Sequence, residues 1–220
     1  MSALTEPNSL GDGIKWEESN DYSREKVTVL AGQSLSLLEV VGKVTVAVPA
    51  TGTAKAGGNT GTGLCTVVAG GLRTIVETFT LTCITAVTNA GIFSVIGSKT
   101  GRMKDATVAV AYASDLINFT ITDGTSADFI VGDAFTIAVA EGSGKVVALD
   151  PDAVNGSNHA AGIMVDTVDA TSADKAGVAI VRESMIASAN LVWPAEISAG
   201  DKAIALADLE SLGIVTVDLA

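Results

Sequence analysis

The only histidine of the chain, His159, lies in the polar segment Asn158-His159-Ala160. Zinc sites that draw on several imidazoles are therefore excluded. A serine hydrolase would need its nucleophile on a glycine-flanked turn, and no such pattern occurs near this segment. We expect His159 to be a solvated loop residue.

The acidic run that begins at Asp150 and Asp152 has some likeness to a calcium-binding loop. Such a loop needs oxygen ligands at its first, third and fifth positions and a glutamate at its twelfth. Val154 occupies the fifth position and Ala161 the twelfth. The pattern instead favours a β-turn, for which Pro151 and Asp152 are typical residues.

Asp123, Asp128 and Asp133 lie close together in the sequence, which raises the question of a carboxylate pair for glycoside hydrolysis. A general acid needs an apolar pocket that raises its pKa. These aspartates stand beside glycines and mark turns, so we expect them to be solvated. No catalytic, metal-binding or cofactor-binding residue is predicted, and the chain is predicted not to be an enzyme.

Cys65 and Cys83 are the only cysteines. Two cysteines do not make a disulfide framework, and their separation is not a metal-ligand spacing. Both lie in apolar, β-like runs, which favours two reduced thiols that pack as small hydrophobic side chains. A disulfide between them stays open, because the strand register is not fixed by the sequence.

The composition is that of a folded, acidic protein. The 220 residues include 13 basic and 25 acidic side chains, a formal charge of −12, and 48% are hydrophobic. This charge argues against nucleic acid and against an anionic membrane surface as partners, because both bind basic surfaces. No apolar run approaches the roughly 18 residues of a membrane span, and the first residues lack the features of a signal peptide. The chain is predicted to be made and used in the cytoplasm.

Residues 1–25 form a polar segment without periodicity, which contains Trp16, Tyr22 and Arg24. Such a segment buries too little apolar surface to order itself. It is predicted to be either a flexible tail or an extended arm that orders on a partner, with Trp16 as its aromatic anchor.

Short alternating strands are predicted from Lys26 to Val48, where Pro49 ends the last of them. The Gly- and Thr-rich stretch 50–63 indicates a loop or linker at a domain boundary, and it lacks the Gly-Lys-Ser/Thr ending of a phosphate-binding loop. Residues 64–140 then alternate with period two, and Phe79, Phe119 and Phe135 open three similar segments. This pattern predicts an antiparallel β-sandwich-like domain, residues 47–141, inserted into a base domain of residues 26–46 and 142–220.

Helical periodicity occurs once, from about Asp201 to Leu212. Ser198 is a suitable N-cap and Gly213 a suitable C-terminal stop. The apolar stripe of this helix is predicted to comprise Ile204, Leu206, Leu209 and Leu212. The fold class is thus mainly β, with one C-terminal helix in the base domain.

Residues 145–217 resemble the C-terminal half of the head decoration protein D family of lambda-type bacteriophages. Leu191, Trp193 and Pro194 form a Leu-x-Trp-Pro signature, and residues 24–43 are similar to the start of longer family members. Further segments match in order and spacing: 145–150, 155–156, 161–165, 170–171, 177–181, 190–194 and 213–217. Trp193 could fill the core of the base domain or lie at a trimer or capsid contact.

The resemblance implies a structural cement protein on the outer capsid surface of the virion. Such proteins bind the major capsid protein as trimers at the threefold positions of an expanded head, and they stabilise it against the pressure of packaged DNA. Residues 1–25, with Trp16, Tyr22 and Arg24, would then be the capsid-binding arm. The insertion resembles one found in longer phage decoration proteins and would be an outward-facing accessory domain.

A second hypothesis assigns the working role to residues 47–141. Exposed β-domains often carry recognition on their loops. The protein would then be a virion-surface adhesin or a tail or fibre component that binds a host-surface ligand.

Overall fold

The structure is a computed structural model and describes residues 9–218. The chain divides into two compact units after Val44 and after Ser143. We call residues up to 44 and from 144 the base domain, and Thr45–Ser143 the insertion. The expected insertion, 47–141, differs from this division by two residues at each end.

Secondary structure alternates between short strands and turns along most of the chain. Before the insertion the elements are α1 (Leu10–Gly13), β1 (Ile14–Glu17), α2 (Asn20–Ser23), β2 (Arg24–Val29), β3 (Gln33–Leu35) and β4 (Val40–Lys43). The insertion contains β5 (Val46–Ala47), β6 (Thr53–Ala54), β7 (Cys65–Gly70), β8 (Thr78–Val87), β9 (Ala90–Gly97), β10 (Gly101–Arg102), β11 (Ala106–Thr107), β12 (Ala111–Tyr112), β13 (Ile117–Ile121), β14 (Ala134–Ala138) and β15 (Ala140–Glu141). The base domain continues with β16 (Val146–Ala148), β17 (Ala160–Met164), β18 (Val168–Ala170), β19 (Lys175–Ile180), β20 (Ser184–Ala187), a 3-10 helix (Ser188–Asn190), α3 (Ala199–Ser211) and β21 (Ile214–Val217). The prediction of a mainly β fold with a C-terminal helix is confirmed.

A closed barrel in the order β16-β2-β19-β17-β4 forms the centre of the base domain. Its closure depends on β16, which pairs parallel with β2 and antiparallel with β4. Val29, Val41 and Ala179 are buried together in one core, and their neighbours Val40 and Ile180 are buried in a second core, so β4 and β19 are covered on both faces. At Gly42 a Cβ would lie 2.2 Å from the backbone oxygen of Ser157, so the strand can approach that loop only with glycine.

A three-stranded sheet, β1-β20-β21, packs with α3 over a second core of the base domain. The Ser198 hydroxyl accepts a hydrogen bond from the Asp201 backbone N–H at 3.1 Å, which confirms the predicted N-cap. Gly213 follows the helix with a φ of +75°, a conformation that glycine adopts without strain. Leu209 is fully buried as predicted, whereas Ile204 is 55% exposed, so its place in the buried stripe was predicted wrongly.

The N-terminal segment differs from the extended arm predicted over residues 1–25. Leu10 and Ile14 pack against the core of the base domain, and β1 pairs antiparallel with β20. This segment is ordered despite its few apolar residues, because the neighbouring sheet supplies the backbone hydrogen-bond partners that a free segment lacks. The extended, unpaired character of the arm was therefore predicted wrongly for residues 10–25, whereas its contact with the capsid stays a proposal. Residues 1–8 lie outside the described residues.

Two sheets of the insertion face each other across one shared core. One contains β10-β9-β8-β14-β6 with β11, and the other β12-β13-β7. Phe79, Phe119 and Phe135 point into this core as their alternation predicts, and Phe93 and Phe129 complete it, with ring centroids 5.1 Å apart. Aromatic pairs in this edge-to-face arrangement add to the energy of simple burial.

Asp133 is fully buried, so the prediction that it is a solvated turn residue was wrong. Its carboxylate accepts hydrogen bonds from the backbone N–H groups of Thr60, Gly61 and Ile130 and pairs with the Lys55 ammonium at 2.9 Å. These contacts hold the pKa of Asp133 at about 2, although burial opposes ionisation. The stretch 50–63 is thereby part of the packed insertion rather than a linker.

Both cysteines are free and buried. Burial raises the pKa of Cys65 to about 11 and raises that of Cys83 as well. At neutral pH both side chains are therefore thiols inside the insertion core, where they pack as small apolar groups.

Candidate functional site

The residues with catalytic potential are dispersed over both the base domain and the insertion. The Nδ1 atom of His159 lies 3.1 Å from the carboxylate of Asp208, which joins its loop to α3. The Asp150 carboxylate accepts the backbone N–H of Asp152, as in the predicted turn. Within residues 9–218 no three histidine, cysteine or acidic side chains come together as metal ligands would. No helix in this part of the chain is long and apolar enough to cross a membrane.

An exposed apolar row crosses the three-stranded sheet of the base domain. Trp16 of β1 lies opposite Met185 of β20, and Met185 lies opposite Val215 of β21. The three residues are 51%, 38% and 46% exposed. Directly opposed side chains on one sheet face are neighbours, so the three form one patch. Contiguous apolar patches of this kind commonly mark interaction sites.

A groove of about 320 Å³ lies between α3 and β21, next to this row. Leu206 and Ala207 line it from the helix, and Ile214 and Val215 line it from the strand. Val215 lies in the row and also lines the groove. We call Trp16, Met185, Val215 and this groove the base surface.

Strand β1 also offers a backbone edge. Its one partner among the described strands is β20, so its other edge carries no strand in that part of the chain. An unpaired strand edge is a template for a strand from another protein. The same short element thus presents both an exposed tryptophan and a backbone edge with which no strand of residues 9–218 pairs.

Tyr22 and Arg24, predicted for the arm, lie where α2 leads into β2. The Arg24 guanidinium makes two hydrogen bonds to the Glu17 carboxylate, which raises its pKa, and both side chains are largely buried. Tyr22 is half-exposed, and the Arg182 guanidinium lies 5.3 Å from its ring centroid. Arg24 therefore ties β1 to β2, whereas the ring of Tyr22 remains accessible.

The signature residues sit between the barrel and α3. Leu191 is buried in the second core, and the residue after it, Val192, exchanges backbone hydrogen bonds with Leu38 and Val40. Trp193 packs partly against the same core, with the Lys202 ammonium 4.9 Å from its ring centroid. The indole N–H of Trp193 is buried and has no hydrogen-bond partner among the described residues.

Leu191, Trp193 and Pro194 thus lie in the base domain, as expected, with Trp16 and Tyr22 exposed elsewhere on it. Sequence reasoning missed Met185 and Val215. Each is the outward residue of a short alternating strand, which is the only signal the sequence offers. That signal does not reveal which strands are neighbours.

The fold is that of a β-rich base domain into which a second β-rich unit is inserted. The family model for bacteriophage lambda head decoration protein D matches residues 3–214. The chain belongs to this family of phage head decoration proteins, and the family resemblance predicted from the sequence is confirmed.

No curated protein matches the chain significantly. Among solved structures, the crystal structure of FlgL from Xanthomonas campestris is similar over 51% of this chain, with 17% sequence identity and a TM-score of 0.32. The match spans 34% of the FlgL chain. A likeness this weak carries no argument about fold or function.

Proposed function

We propose that the protein is a cement protein that binds the outside of an expanded phage head as trimers at its threefold positions. It stabilises the head against the pressure of packaged DNA, and its partner is the major capsid protein. Family membership supports the assignment to the head. The observation that carries the proposal is the base surface, an apolar patch that begins on an open strand edge.

Binding to the capsid uses the edge of β1. A strand of the capsid protein pairs with the open edge, and its affinity comes mainly from main-chain hydrogen bonds. Trp16, on the same strand and 51% exposed, supplies the apolar anchor. Aromatic anchors of this kind often contribute about 2 kcal/mol or more to an interface.

Contact between subunits uses the groove between α3 and β21. Its apolar lining includes Leu206 and Val215, which a neighbouring subunit would remove from water. Three β1 edges on one trimer then bind the head together. This multivalency raises the effective concentration at the capsid without any new contact.

The charge of the chain fits an external position. Over the whole chain the acidic side chains outnumber the basic ones by 25 to 13. Such a chain gains no counterion-release energy on DNA, which lies inside the head. Direct binding of nucleic acid or of a membrane forms no part of the proposal.

Sedimentation with expanded, undecorated heads of the source phage tests the proposal. We expect saturation at three copies per threefold position. The variant Trp16→Ser should bind at least ten-fold more weakly and keep its circular dichroism spectrum. Val131→Ser removes a similarly exposed apolar side chain from the insertion and is the matched control.

Light scattering tests the trimer separately. If the unchanged protein forms trimers, Val215→Glu should weaken the contact between subunits and so lower the average molar mass in solution. The absence of co-sedimentation, or equal binding by Trp16→Ser and the unchanged protein, would contradict the proposed function. A truncation that begins at Ser9 tests residues 1–8 and leaves β1 in place. The arm proposal for these residues requires this truncation to weaken binding.

A further inference from the structure

A second concave surface lies on the insertion, and none of its lining residues belongs to the base surface. It is a groove of about 560 Å³ lined by Arg73, Ile75, Thr100, Met103, Asp115 and Leu116. This volume lies within the range of roughly 300–1,000 Å³ that is usual for ligand sites. Three of the six lining side chains are apolar, and Ile75 is 42% exposed.

Internal hydrogen bonds hold one wall of the groove in place. The Thr74 hydroxyl lies 2.7 Å from the backbone oxygens of both Gly71 and Leu116, and the Gly71 backbone N–H donates to the same hydroxyl. The Arg73 backbone N–H donates to the Asp115 carbonyl at 2.9 Å. The segment that carries Arg73 is therefore tied to the segment that carries Asp115 and Leu116.

The opposite wall is held by a buried carboxylate. Glu77, only 4% exposed, accepts hydrogen bonds from the backbone N–H groups of Lys99 and Thr100 and from the Thr100 hydroxyl. The Met103 backbone N–H donates to the Val95 carbonyl at 2.9 Å. A groove whose walls are fixed before binding loses little entropy when a ligand orders in it.

The charges of the groove are available to a ligand. Arg73 and Asp115 both line it and are exposed, and neither forms an ion pair with a described residue. Lys99 adjoins Thr100 in the chain, and Arg102 and Lys104 flank Met103. Four of the five basic residues of the insertion therefore lie at or next to the groove lining. Arg102 pairs with Asp105 at 2.8 Å and the Lys104 ammonium lies 4.9 Å from the Tyr112 ring centroid, and of these basic residues Arg73 is the one that lines the groove itself.

We propose that this groove binds a peptide segment that carries a carboxylate next to a large apolar side chain. The carboxylate pairs with the Arg73 guanidinium, whose planar geometry allows two parallel hydrogen bonds to one carboxylate. The apolar side chain lies against Ile75, Met103 and Leu116. The Asp115 carboxylate accepts backbone N–H groups of the peptide, which fixes its direction.

Other classes of ligand fit the groove less well. No aromatic side chain lines it, so it lacks the stacking surface on which glycans and single-stranded nucleic acids usually bind. A flat anionic bilayer fits poorly, because the groove is concave and because the Asp115 carboxylate would repel anionic headgroups. A peptide carries donors, acceptors and apolar side chains together, which matches this lining.

The test uses the full chain and does not depend on capsid binding, so its failure and that of the proposed function are distinguishable. A library of random dodecapeptides is selected on the immobilised protein. We expect enrichment of sequences in which aspartate or glutamate lies beside leucine, isoleucine or phenylalanine. The best peptide is then labelled with fluorescein, and its affinity is measured by anisotropy in low and high salt.

Two variants probe the groove, and two matched variants serve as controls. Arg73→Glu should weaken peptide binding at least ten-fold and remove its salt dependence, and Ile75→Ser should weaken it several-fold. Lys26→Glu makes the same charge change on the base domain, and Val110→Ser removes another exposed apolar side chain of the insertion. Both controls should bind within two-fold of the unchanged protein.

The proposal is overturned if no sequence class is enriched relative to selection on Arg73→Glu, or if Arg73→Glu and Ile75→Ser bind the selected peptide normally. Phosphatidylglycerol vesicles provide a further arm. Binding to vesicles that Arg73→Glu abolishes, without peptide enrichment, would assign the groove to lipid and would also overturn the proposal.

Discussion

The buried carboxylate of Asp133 should dominate the acid sensitivity of the insertion. Its pKa is about 2 in the folded protein, against an ordinary value of 3.8. A lowered folded pKa adds stability above the unfolded pKa, and that stability is lost as the pH falls through the folded value. The difference corresponds to roughly 2 kcal/mol, since one pKa unit is about 1.4 kcal/mol.

Two substitutions separate the charge of Asp133 from its hydrogen bonds. Asp133→Ala leaves the N–H groups of Thr60, Gly61 and Ile130 and the Lys55 ammonium without their acceptor. Leaving a buried donor without its acceptor costs about 1–3 kcal/mol, so with three backbone N–H groups affected we expect a loss of at least about 3 kcal/mol at pH 7. Asp133→Asn keeps one carbonyl acceptor but does not titrate. Its stability deficit relative to the unchanged protein should shrink by roughly 2 kcal/mol between pH 5 and pH 2.

Hydrogen exchange of peptides from β14, measured in increasing urea, reports the stability of the insertion. Both tryptophans, Trp16 and Trp193, lie in the base domain, so their fluorescence reports the other unit. Asp152→Asn, in the exposed turn of the base domain, is the control for loss of one carboxylate. The reasoning is refuted if Asp133→Asn shows the same deficit at pH 2 as at pH 5, or if Asp133→Ala costs less than about 1 kcal/mol.

Four further outcomes are expected. Gly213→Ala should destabilise the base domain by about 1 kcal/mol, because alanine is strained at a φ of +75°. Gly200→Ala, where the nearest atom to an added Cβ is 3.7 Å away, should leave the stability of the base domain unchanged or raise it. Urea titrations followed by tryptophan fluorescence measure both glycine variants. Cys65 and Cys83 should not react with a thiol reagent at pH 8 while the protein is folded. After denaturation, two reactive thiols per chain should be measured. Rapid reaction of the native protein would contradict the burial of these side chains. Heads decorated with a chain in which residues 45–143 are replaced by a short Gly-Ser linker should adsorb to host cells normally, whereas poor adsorption would favour the adhesin hypothesis.

Much of the local structure could be predicted because its signals lie within a few residues. The alternation around Phe79, Phe119 and Phe135 predicts strands whose aromatic side chains point inwards, and the structure places them so. The cap at Ser198 depends on Asp201, three residues away. Resemblance over residues 145–217 was sufficient to indicate the family, which the match over residues 3–214 confirms.

The errors arose where a distant partner changed the environment of a residue. Asp133 was expected in solvent because it follows a glycine, but the amides of a stretch more than 70 residues earlier in the chain enclose it. Trp16 was expected on a free arm, but β20 provides β1 with a backbone partner. Ile204 was expected in the core, but α3 turns Leu209 and Ala205 inwards instead.

The sequence by itself determined the β-rich class, the position of α3, the inserted character of the middle block and the family. These properties follow from period, turn residues, caps and motif spacing, all of which act locally. The tertiary structure alone decided the closure of the barrel, the burial of Asp133, and the assembly of Trp16, Met185 and Val215 into one surface. Alternation fixes which face a side chain shares with its near neighbours, whereas the pairing of distant strands decides which faces meet.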